Sequence, residues 1–137
     1  MSVKRIADVE FGAELPSFDP DTSLPNVRRF AKAAMMLAPR FMDHEGARKE
    51  GLPGAMVPGV MSQGVLVAML HRWAPDAELL SIDTVFRAMV MVDQPHHVKG
   101  VVTDVDEAER TAEVDLTITN DAGETRVLGT AKVRFPA

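Results

Sequence analysis

The run "RTAEVDLTITN" alternates apolar and polar residues without a break. Ala112, Val114, Leu116 and Ile118 fall on one side, and Glu113, Asp115, Thr117 and Thr119 on the other. That is the period of a strand with one buried face. "NDAGE" follows as a hairpin turn, because Asn, Asp and Gly tolerate the backbone angles such turns need. "TRVLGTAKVRF" then resumes the alternation through Val127, Gly129, Ala131, Val133 and Phe135. Upstream, "LLSIDTVFRAMVMV" and "HHVKGVVTDVD" predict two more strands, separated by Asp93–Gln94–Pro95. Four half-buried strands in succession predict an antiparallel meander with one face against a core.

The segment that this face covers precedes it. "VPGVMSQGVLVAMLHRWAP" keeps helical spacing over four turns through Val57, Val60, Met61, Gly64, Val65, Ala68, Met69 and Trp73. Its opposite side is also weakly polar, which predicts a helix largely enclosed by other elements. Gly59 and Gly64 are expected to let strands approach closely, and Pro75 ends the helix. His71 and Arg72 sit near its carboxyl end, where the helix dipole favours cations.

Residues 1–22 read as an extended lead-in, with one strand near "VEFGAEL". "DTSLPNVRRFAKAAMML" predicts a helix with Ser23 as N-cap, Pro25 in its first turn and Pro39 as its stop. "DHEGARKEG" predicts a short amphipathic turn closed by Gly51 in a left-handed cap. The whole, residues 1–137, reads as a single α+β domain, with helices first and sheet after.

Composition narrows the function classes. A net charge of -5, with only "VRRFAK" as a basic cluster, argues against a nucleic-acid partner. Tyrosine is absent and tryptophan occurs once, so stacking platforms for bases are missing too. There is no cysteine, which removes thiol chemistry and suits a reducing cytoplasm. No apolar run reaches the roughly 18 residues that cross a bilayer, and "MSVKRIADVEFG" lacks a signal-peptide core.

Taken with the stretch "MMLAPRFMDHEGARKEGLPGAMVPGVMSQGVL", this order resembles the MaoC-like hydratase/dehydratase branch of the hotdog fold, an antiparallel sheet wrapped around a long central helix. The resemblance covers about residues 25–135. The family carries a loop of the form S-G-D-x-N-P-x-H-x-D, then an alanine, a glycine, and a His-Gly pair opening the central helix. Pro39 matches the loop proline, Asp43 the second aspartate, Ala47 the alanine, Gly51 the glycine and Gly59 the glycine of the pair. "FRAMVMVD" is similar to the family's F-R-x-P-V-x-x-G-D strand through Phe86, Arg87, Val90 and Asp93. The departures fall on the chemistry: the family's aspartate and histidine align with Met36 and Phe41, and the histidine of the His-Gly pair with Pro58.

The resemblance implies an acyl-thioester substrate, of coenzyme A or acyl carrier protein, in lipid metabolism. It implies no further cofactor, and either a homodimer or a hetero-oligomer with a MaoC-like partner. Hydration of an enoyl thioester needs an acid–base pair at the water and donors at the thioester oxygen. Methionine and phenylalanine supply neither proton donor nor acceptor, while the backbone amide of Gly59 survives as an oxyanion donor. A degenerate subunit that pairs with a catalytic partner is therefore expected. The alternatives are an active hydro-lyase whose residues are rearranged onto Asp43 and His44, and a thioesterase-like acyl-CoA binder using Gly59.

Other candidates have plainer readings. His96 and His97 open a strand and point to opposite faces, with no cluster to complete a metal site, and a solvated strand start is expected. "HEGAR" carries Arg48 where a zinc-binding H-E-x-x-H motif needs its second histidine. Met35, Met36, Met42, Met56 and Met61 read as core filling, or as the lining of an acyl tunnel. Arg28, Arg29 and Lys32 read as a solvated face, with coenzyme A phosphates as a second possibility.

Overall fold

The computed structural model describes residues 2–137. Its helices are α1 (Leu24–Ala33), α2 (Pro39–Met42), α3 (His44–Lys49) and α4 (Gly59–Trp73). The strands β1 (Glu78–Phe86), β2 (His96–Asp106), β3 (Thr111–Asn120) and β4 (Thr125–Arg134) follow. All strand pairs are antiparallel, in the order β1-β4-β3-β2. Only β2, β3 and β4 form the expected meander. β1 crosses to the far side of β4, pairing Phe86 with Val127 and Glu78 with Arg134. β1 also stops at Phe86, and residues 87–92 leave the sheet as a strap.

Among its described residues the lead-in forms no strand of its own. It makes a 3-10 turn at Ile6–Asp8 and then touches the β2 edge at two bridges, Glu14 to Val101 and Phe18 to Val98. α1 ends well before Pro39. Met35 takes φ +57, the Met36 amide bonds the Ala31 carbonyl and the Met35 amide bonds Lys32, a Schellman closure without glycine. Pro39 instead opens α2, where its missing N–H does no harm. Ser23 occupies the N-cap of α1, but its side chain caps nothing; the Leu24 amide donates to Asp93 Oδ1 at 2.9 Å. Gly51 does adopt φ +90 after α3, with the Leu52 amide returning to the Ala47 carbonyl.

α4 lies on one face of the sheet and buries Ser62, Leu66, Met69, Leu70 and Trp73. Its other face is open rather than enclosed: Val60 is 63% exposed, and an added Cβ at Gly64 would meet nothing within 4 Å. With apolar residues all round, spacing alone carried no phase for the buried side. Of the two helix glycines only Gly59 meets a strand closely, at Phe86 of β1, and the other close approaches come from glycines on the strands. A Cβ at Gly129 would lie 2.9 Å from Leu66, and one at Gly100 would lie 3.2 Å from the Met69 sulfur. At the far end Phe135 packs edge-on against Trp73, with ring centroids 5.7 Å apart.

Candidate active site

Pro58 is the N-cap of α4, and no side chain caps that end. The amides of Gly59, Val60 and Met61 therefore lack intrahelical partners, and the helix dipole adds positive potential there. Of these three residues Gly59 lines a cavity of about 250 Å³. α4 contributes Gly59 and Ser62 to its wall, the preceding segment Met56 and Val57, and β4 Val127. Phe86 at the end of β1 and Ala88, Met89 and Val90 of the strap close it. Val57 and Ala55 hold the strap by a short ladder, Val57 N–H to Val90 O at 2.8 Å and Val92 N–H to Ala55 O at 3.0 Å. A Cβ at Gly59 would stand 3.3 Å from the Phe86 ring, so the glycine lets that ring pack close against the helix start.

No residue lining this cavity titrates. Its polar side chain is the hydroxyl of Ser62, a residue 2% exposed. α2 abuts the wall, since the Met56 amide donates to the Arg40 carbonyl at 2.9 Å. Met56 and Met89 bring thioethers to the lining; Met35, by contrast, is 77% exposed.

Asp43 and His44 are neighbours in sequence but are not joined in space. The Asp43 carboxylate caps α3 by accepting the Gly46 amide. Asp43→Ala should accordingly lower stability by about 1 kcal/mol in urea unfolding and leave the cavity intact. The His44 ring spans two other segments. Its Nδ1 accepts the Ala55 amide at 3.0 Å, which places the hydrogen on Nε2, and Nε2 donates to Asp93 Oδ2 at 2.7 Å. Neither Asp43 nor His44 lines the cavity. The bond from His44, with a second from the Leu24 amide, holds the Asp93 carboxyl below the usual carboxylate range. The His44–Asp93 pair escaped sequence reading because the two lie far apart in the chain, although Asp93 stood in the "FRAMVMVD" match. Ser62 had no signal beyond one hydroxyl in an apolar helix.

His96 and His97 do face opposite ways, but His96 is 1% exposed rather than solvated. Alternation sends it to the side of Val98, Gly100 and Val102, the core side. Among the described residues no group of three or more His, Cys, Asp or Glu side chains could hold a metal ion.

The same arrangement of helix and sheet recurs in solved structures. The (R)-hydratase from A. caviae involved in PHA biosynthesis superposes with a TM-score of 0.87 at 20% identity, over 94% of this chain and 98% of its own. A MaoC-like dehydratase superposes at 0.88 and 23% identity, over 97% of this chain and 42% of its own. This is the hotdog fold. A chain of the ChsH1–ChsH2 complex from Mycobacterium tuberculosis also shares it, at TM-score 0.85 and 19% identity, over 93% of this chain and 99% of that one. No protein-family model and no curated protein matches the sequence. Within this fold the cavity lies at the amino end of α4, and among the described residues no helix is long and apolar enough to cross a membrane.

Proposed function

We propose that this chain is a non-catalytic MaoC-like subunit that binds an acyl thioester at the amino end of α4 and completes a partner carrying the acid and base. One observation carries the reading: an apolar cavity is lined by Gly59 at the uncapped start of α4, and nothing titratable lines it. The amides of that first turn suit a thioester oxygen as it gains negative charge. Proton delivery then falls to a second subunit, because positioned acid–base groups supply typically about 10²–10⁴-fold in rate. Two of the similar structures are complexes by name, ChsH1–ChsH2 and the HadBC (3R)-hydroxyacyl-ACP dehydratase, and they lend support to pairing with an unlike partner.

The rearranged hydro-lyase would need His44 Nδ1 to release the Ala55 amide before the ring could accept a proton, since Nε2 already carries its hydrogen toward Asp93. The purified chain should bind crotonyl-CoA or a longer enoyl-CoA without hydrating it, and co-expression with a MaoC-like neighbour should yield turnover. Ser62→Leu, which fills the cavity, should weaken enoyl-CoA binding about tenfold or more, an overpacking cost of at least ~1.4 kcal/mol. Calorimetric titration reads that effect. Turnover by the chain alone that His44→Ala abolishes would instead establish the rearranged enzyme.

A further inference from the structure

Three of the four histidines converge on residues 93–97, the corner that anchors the strap closing the cavity. Asp93 holds His44 and the Leu24 amide, and its own amide donates to the Thr22 carbonyl. The Gln94 carbonyl accepts the Thr22 hydroxyl at 2.7 Å and His96 Nδ1–H at 2.9 Å. His97 reaches Asp19 of the lead-in at 2.7 Å and Asp121 of the β3–β4 turn at 3.0 Å, one carboxylate for each ring nitrogen.

His96 stands apart within this corner. With Nδ1 donating to Gln94, its Nε2 presents a lone pair that no protein group meets among the described residues. A proton added there would place an N–H without a protein acceptor, and a full charge, inside the core. The charged groups around it make this worse: Arg126 and His97 both oppose a cation, and only Asp121 favours one. Asp121 is already engaged by His97.

We propose that the 93–97 corner is an acid-sensitive latch: protonation of His96 Nε2 expels the ring from the core and frees the 87–92 strap that walls the cavity. Burial pushes the His96 imidazole below its ordinary value, and the two carboxylates raise that of His97. For His96, the folded value is depressed, so its contribution to stability is full above about pH 6.5 and declines as pH falls from there toward the depressed value. For His97 the sign reverses: its contribution is full below about pH 6.5 and is lost as pH rises through the raised value. The acid side of the latch is therefore set by His96 alone of this pair.

The inference rests on the acyl-pocket reading for what is released, yet the wall can be followed without any ligand. Hydrogen-exchange protection factors of the Val57, Val92 and Asp93 amides, measured from pH 7.5 to 5, should fall by up to about tenfold per pH unit below about 6.5. His96→Phe should abolish that slope while the neutral-pH protection remains, and the His97→Asn control should retain it. Should His96→Phe fail to fold, the wild-type ring protons of His96 serve instead: their titration must coincide with the loss of protection. Protection that does not change with pH, a slope that survives in His96→Phe, or a ring that titrates while the strap stays closed would overturn the latch. Enoyl-CoA binding at neutral pH is scored separately, so loss of the acyl reading and loss of the latch are distinct results.

Discussion

If the chain pairs as proposed, Val60→Glu should weaken assembly with the partner by roughly 10²- to 10³-fold, because it buries an unpaired charge, at about 3–4 kcal/mol, in the surface left open on α4. Val60 is 63% exposed, Gly64 is exposed with open space above it, and both lie on the side of α4 turned away from the sheet. The β1 edge beside this surface has no strand partner among the described residues, and Val85 and Phe86 are exposed there. An apolar helix face continuous with an open strand edge is the kind of surface another subunit covers. Sedimentation of the co-purified pair tests it, with Lys132→Glu on an exposed β4 position as the control. Undiminished association of the Val60→Glu chain would move the interface elsewhere.

Phe135→Ala should cost about 3–5 kcal/mol, a large share of the ~5–15 kcal/mol that holds a domain together. The ring is 1% exposed and closes the core against Trp73, itself 4% exposed. The backbone there stays tied whatever the side chain, since the Phe135 amide donates to the Arg110 carbonyl at 2.8 Å and its carbonyl accepts from Arg110 Nε. The loss is thus of packing and not of hydrogen bonding. Urea unfolding should show a lower midpoint with little change in slope.

The strands and the central helix were legible because alternation and helical spacing follow directly from which face meets water. The position of β1 was not. Its residues alternate equally well beside β2 or beside β4, and pairing is decided by the crossover, which leaves no local trace. The outer face of α4 was illegible for a related reason: Val60 and Gly64 suit a core and a subunit contact alike. At the site, the place of Gly59 at the start of α4 could be read from the sequence. The bond between His44 and Asp93 could not, since it depends on how α3 and the strap come together. His96 was misread because a charge-capable ring at a strand start is ordinarily left in water.

The strand order has a consequence for how the chain is made. β1 emerges from the ribosome before β2, β3 and β4, yet among the described residues its only sheet neighbour is β4, the last of them. Local hairpins β2–β3 and β3–β4 can zip first, while β1 waits for a pairing of long sequence separation. Through that interval a nascent chain displays an unpaired strand and an apolar helix together. Chaperone capture, or early docking onto an already folded subunit, is the expected means by which such a chain avoids aggregation.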